Sequence, residues 1–143
     1  MRSDTARAKA VLEEKGLSCV LCYGERIIES DERGIKPLVR IVGSGEELRG
    51  YSAADRIVGK AAAWLYLLLG IGELYAEVLS RPAARLLEEN EIPYSYGVLT
   101  EEIINRDQTG QCPMETAVAD CTSPKEAYEA IREKLKRLAE MKG

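Results

Sequence analysis

One stretch constrains the chain more than any other: Tyr51-Ser-Ala-Ala-Asp-Arg-Ile-Val-Gly-Lys-Ala-Ala-Ala-Trp-Leu-Tyr-Leu-Leu-Leu-Gly70. It opens with small and charged residues and runs into an almost unbroken apolar segment. Ser52 and, three residues on, Asp55 have the form of a capping box, with Asp where Glu or Gln is usual. From Ile57 to Leu69 the only charge is Lys60. A helix that is apolar nearly all round belongs at the centre of a folded core or in a membrane. The apolar run Ala61 to Ile71 is too short to span a bilayer and is bracketed by Lys60 and Glu73. The stretch therefore reads as the buried central helix of a soluble domain. Its polar start, Ser52 to Lys60, is the first place to look for a site.

The chain has 143 residues, a size that suits one domain over 1–143 with a substantial core. Net charge of −4 argues against a nucleic-acid backbone as partner, because that interaction needs a basic face. Histidine is absent, which removes the commonest general base and the commonest metal ligand together. The cysteines are Cys19, Cys22, Cys112 and Cys121. Met1 to Glu14 is charged and lacks the apolar segment of a secretory signal, so the expectation is a cytoplasmic protein with reduced thiols and no membrane segment.

Along the chain, Ser3 to Glu14 reads as a helix stopped by Gly16. Leu17–Tyr23 and Glu25–Ser30 form a hairpin about Gly24-Glu25. Ile35 to Val42 is a short helix with Pro37 in its first turn. After the central helix, Glu73–Ser80 is a strand. Ser80 caps a helix that carries Pro82 in its first turn and ends near Asn90. Tyr94 to Leu99 is a strand, Thr100 to Ile104 one helical turn, and Asn105 to Gln111 a polar loop. Cys112-Pro-Met-Glu115 looks like a helix start. Ser123-Pro-Lys-Glu126 is a capping box that opens the last helix. A hairpin followed by βα units implies a mixed sheet with helices on both faces.

This order is similar to the cytidine-deaminase-like fold, a three-layer α/β/α arrangement. In zinc deaminases a His-x-Glu motif opens the central helix, and Pro-Cys-x-x-Cys opens the helix after the next strand. The corresponding stretches here are Ala54-Asp55-Arg56 and Leu79-Ser-Arg-Pro-Ala-Ala84, and neither holds a zinc ligand set. More closely, the chain resembles the DUF1893 family of uncharacterised prokaryotic proteins. The resemblance lies in Tyr51–Ala63, Tyr75–Ser80, Ile104–Arg106 and Thr109–Glu115. It implies the deaminase-like fold without zinc and leaves the activity open.

Several residues are candidates for chemistry, each beside a plainer role. Asp55 is either a pocket carboxylate or the partner of Ser52 in the helix cap; both can hold, since a helix N-terminus is also an anion site. Arg56 and Lys60 lie four apart and could hold a phosphate there, or form a solvated fringe. Lys60 could also act as a nucleophile. Gly59, costly inside a helix, suggests close approach of a strand, ligand or helix. Cys112 at a helix start could be an activated thiol with Glu115 as acid–base partner, or a structural cysteine. Asn105, Arg106, Thr109 and Gly110 could line a polar ligand site, or form an ordinary turn. Cys19 and Cys22, three apart on a strand, point to opposite faces, which excludes a shared metal or disulfide.

Three function classes follow. The first is a small-molecule-binding domain, with no metal or cofactor, for an anionic or nucleotide-like ligand at the N-terminus of the central helix. The second is a metal-independent enzyme using Cys112 or Lys60 as nucleophile, with Asp55 or Glu115 as acid–base partner. The third is a homo-oligomeric structural or regulatory subunit whose interface uses Tyr94, Tyr96, Trp64 and Tyr66.

Overall fold

A computed structural model describes residues 1–104 and 112–142. The elements are α1 (Ser3–Lys15), β1 (Cys19–Tyr23), β2 (Arg26–Ser30), α2 (Lys36–Gly43), β3 (Ser52–Val58), α3 (Lys60–Leu69), β4 (Glu73–Ser80), α4 (Arg81–Glu89), β5 (Tyr94–Thr100), α5 (Pro113–Ala117) and α6 (Pro124–Lys142). The sheet order is β2-β1-β3-β4-β5. β1 runs antiparallel to β2 and β3, and β3, β4 and β5 are parallel.

The stretch read as one central helix divides at Gly59. Ser52–Val58 is the middle strand of the sheet, and the helix starts at Lys60. Ser52 and Asp55 therefore form no capping box. Ser52 pairs with Cys22 on one side and Glu73 on the other, and its backbone serves the ladder. A strand hydrogen-bonded on both sides satisfies its polar groups along its whole length. That outweighs the helix preference of Ala53 and Ala54. Thr100 to Ile104 likewise forms no helical turn among the described residues.

The sheet separates two apolar clusters. Ala8 and Leu12 of α1 pack on Val20, Cys22, Ala54 and Tyr75. On the opposite face, Cys19, Leu21, Ala53, Leu74 and Ala76 meet α3, with α2, α4 and α6 around it. Helices thus cover both faces of a mixed sheet, as expected of parallel strands joined by crossover helices. α3 is the core helix: Ala63, Leu65 and Tyr66 are fully buried. Gly70, left-handed at φ 77°, ends it and turns the chain toward β4.

Several local signals read in the sequence act as anticipated. The Ser80 hydroxyl accepts from the Ala83 N–H at 3.2 Å, and the Ser123 hydroxyl accepts from Glu126 N–H at 3.2 Å. Cys19 and Cys22 face opposite sides of the sheet, each in a different cluster.

Candidate functional site

Because Asp55 lies on β3, its neighbours come from the sheet and from α3. It is in register with Cys19 on β1. Its side chain reaches Tyr66 one helix away, and the Tyr66 hydroxyl donates to Asp55 Oδ2 at 2.5 Å. The Ile57 N–H donates to Oδ1 at 3.3 Å. Burial dominates the electrostatics here and pushes Asp55 up to about 6, although the Tyr66 and backbone hydrogen bonds favour the carboxylate. Burial, then the charge of Asp55, pushes the Cys19 thiol up to about 12. The same two causes hold the Tyr66 phenol well above its ordinary value.

The N-terminus of α3 has its own anion. Glu115, on the short helix α5, accepts from Lys60 N–H at 2.6 Å and from Ala61 N–H at 2.8 Å. These are two of the N–H groups that a helix start leaves unpaired. The Glu115 carboxyl is buried, which raises its pKa, while the two N–H bonds and the Lys60 charge pull the other way. Gly59 explains itself in this contact. A Cβ at Gly59 would collide with the Glu115 carboxylate. The close approach expected at Gly59 is thus made by a side chain from a distant segment.

Both acids face one cavity of about 550 Å³. Its wall carries Asp55, Cys112 and Glu115 together with apolar Ile35, Leu38, Ala62 and Met114. Cys112, half-buried, precedes α5, and its thiol caps no N–H group. Arg56 also borders the cavity but is committed elsewhere. Its Nε donates to Leu17 O at 2.8 Å, one terminal nitrogen donates to Leu12 O at 2.9 Å, and the other pairs with Glu77 at 2.5 Å. It locks α1 to the sheet and has no fork left for a phosphate. Lys60 points away, its Nζ 3.5 Å from Ala119 O, and does not line the cavity with Asp55. Ser52 is buried in β3, its hydroxyl has no partner among the described residues, and it too lies off the cavity wall. Asn105, Arg106, Thr109 and Gly110 fall outside the described residues.

Arg33, Tyr66 and Cys19 stand at or beside the site although the sequence does not mark them as site residues. Arg33 lines the cavity, is exposed, and makes no ion pair among the described residues. It lies in the polar turn before α2, which carries no motif. Tyr66, offered by the sequence as an interface aromatic, is with Trp64 buried in the core of the chain itself. Among the described residues, no three His, Cys, Asp or Glu side chains gather as metal ligands would. No described helix is long and apolar enough to cross a membrane.

The sheet order, the helices on both faces and the acid-lined cavity define a mixed α/β domain. A family model described as a domain of unknown function, DUF1893, matches residues 7–135, and the chain belongs to that family. A crystal structure of a DUF1893 family protein from Thermotoga maritima is 32% identical to it. That likeness covers 96% of this chain and 92% of the other, with a TM-score of 0.81. No curated protein matches the chain.

Proposed function

We propose that the chain is a single cytidine-deaminase-like domain, independent of zinc, that binds a small nucleotide-like molecule in the Asp55–Cys112 cavity. The observation that carries this reading is the combination of a half-buried acid, Asp55, and a cation that makes no ion pair among the described residues, Arg33, on the wall of one largely apolar cavity. Ligand cavities of this size typically pair an apolar lining with a few placed polar groups. The β3-α3-β4-α4 succession, with its helix starts at Lys60 and Arg81, supports the deaminase-like assignment. The address of His-x-Glu then moves from Ala54–Arg56 to the start of α3 at Gly59 and Lys60. There Glu115 supplies the negative charge from within the chain.

That occupancy changes where the ligand's charge goes. With the α3 N-terminus already neutralised by Glu115, an anionic group has Arg33 as its partner. A hydrogen-bond donor, such as the amino group of a base, has Asp55. A nucleoside monophosphate offers both. Thermal-shift screening against nucleosides and nucleotides tests this. A ligand at 100 times its Kd adds about 2.7 kcal/mol of stability. Asp55→Asn should weaken every ligand in the series, whereas Arg33→Gln should weaken only the phosphorylated ones. No stabilisation by any of them would sink the reading.

A second reading has one specific observation in its favour. Asp55, pushed up to about 6, is poised to take or give a proton near neutral pH, and Cys112 lines the same cavity. An enzyme using the Cys112 thiol with Asp55 as its acid–base partner is consistent with that pairing. Glu115 is less suited to the role, because its two oxygens accept from α3 N–H groups at 2.6 and 2.8 Å, whereas Asp55 Oδ1 accepts only one long bond, at 3.3 Å. Thiol-reactivity profiling discriminates: a Cys112 that reacts no faster than a free thiol removes the nucleophile.

A further inference from the structure

A chain of side-chain hydrogen bonds runs from the core to the wall of the larger cavity. The Cys19 thiol bonds the Tyr66 hydroxyl, and the Tyr66 hydroxyl donates to Asp55 Oδ2 at 2.5 Å. Tyr66 is fully buried and does not line the cavity, whereas Asp55 is half-buried and does. Burial keeps the Cys19 thiol and the Tyr66 phenol protonated near neutral pH. The single O–H of Tyr66 therefore points at Oδ2 whether Asp55 is charged or neutral. Oδ1 carries only the 3.3 Å bond from Ile57 N–H. The oxygen that accepts the shorter, stronger bond is the less basic one, so a proton that joins the carboxylate sits on Oδ1. That is the oxygen left for the cavity. An ionised carboxylate oxygen only accepts, and a protonated one donates.

We propose that Asp55 Oδ1 reads the hydrogen-bonding edge of the ligand and that Tyr66 is the positioning residue that makes this reading reversible. The cavity prefers a ligand that presents a donor while Asp55 is ionised, and loses that preference when Oδ1 takes up a proton. This inference rests on the ligand site proposed above.

The other charged and titratable groups on the wall do not substitute for Oδ1. Glu115 on α5 is held by α3 N–H groups at 2.6 and 2.8 Å. Glu32, before α2, pairs with Arg40 at 2.7 Å. Arg56, next on the strand, is tied to Leu12, Leu17 and Glu77. Cys112 and Arg33 complete this set among the described residues, and a guanidinium stays charged at every pH of interest. On β4, the residue in register with Asp55 is the apolar Ala76. Asp55 itself, raised by burial to about 6, changes charge between pH 5 and pH 8.

Adenosine and 6-methoxypurine riboside are matched probes. They share their ring acceptors and differ at one substituent, an amino donor against a methoxy group that only accepts. Neither changes charge between pH 5 and pH 8, so a pH-dependent ratio of their Kd values belongs to the protein. Calorimetric titration of the whole chain should show adenosine bound about tenfold more tightly at pH 8. The two should bind nearly equally at pH 5, with the midpoint of the change near 6. Tyr66→Phe should move that midpoint to higher pH, which lost packing alone does not do. Asp55→Asn should make the ratio independent of pH. A ratio that is the same at pH 5 and pH 8 in the unaltered protein would overturn the inference and leave the ligand site standing. A midpoint that Tyr66→Phe leaves in place would remove Tyr66 from the role. Failure of both nucleosides to bind at either pH would overturn the ligand site and this inference together.

Discussion

At the residue scale, Asp55 carries the largest electrostatic consequence. Its folded value of about 6 lies above the ordinary 3.8, so between those values the folded chain holds a proton that the unfolded chain has released. Stability therefore falls as pH rises through that window, and the loss is complete above about 6. Asp55→Asn removes the buried charge and keeps an acceptor for Tyr66. It should stabilise the protein at pH 8 by on the order of 1–3 kcal/mol, with the gain shrinking toward pH 4, as denaturant melts at the two pH values would show. Tyr66→Phe removes a donor that favours the carboxylate, so the Asp55 midpoint should rise further in a carbon-detected NMR titration. Glu115 is the complementary case. Glu115→Ala strips the acceptor from two helix N–H groups, one buried and one partly buried, and should cost about 1–3 kcal/mol in denaturant melts. Gly59→Ala should approach the same loss, because its methyl group displaces the carboxylate. The thiols separate by burial: maleimide labelling of the folded protein should reach Cys112 and Cys121 and spare Cys19 and Cys22.

At the scale of elements, the strand–helix unit β3-α3 decides the architecture, and it shows where the sequence was legible. Caps made within a few residues could be read directly, as at Ser80 and Ser123, because donor and acceptor belong to one local segment. The strand β4 and the hairpin β1-β2 were legible from β-prone runs between turn residues. β3 was not, because Ser52, Ala53, Ala54 and Asp55 look like a helix start, and only pairing with β1 and β4 makes them a strand. The overlooked signal was glycine punctuation, Gly50 and Gly59 bounding a strand-length run that ends in β-branched Ile57 and Val58. Native-state hydrogen exchange tests the division: amides from Ala53 to Val58 should exchange with the slow amides of β4. Leu65→Ala, at the buried centre of α3, should cost about 2–5 kcal/mol, since the cavity it leaves is walled by sheet and helices.

For the whole molecule, the site is assembled from segments far apart in sequence: the start of β1, the turn before α2, the β3-α3 junction, and the start of α5. Asp55, Cys112 and Glu115 could each be singled out by residue type, but their shared cavity depends on the sheet order that brings β1 beside β3 and on α5 docking against α3. The same assembly reassigns Arg56, which bonds α1 and β4, and Lys60, which serves a different cleft. Gly59 is accounted for by the Glu115 carboxylate, which lies where a side chain at this position would begin. The most direct measurement is an NMR titration of the isotopically labelled protein with a nucleoside monophosphate. Saturable shift changes should concentrate at Ile35, Asp55, Ala62 and Cys112, and Asp55→Asn should weaken them at least tenfold, equivalent to about 1.4 kcal/mol. Shift changes that bypass these residues, or that survive Asp55→Asn at full affinity, would contradict a ligand site in this cavity.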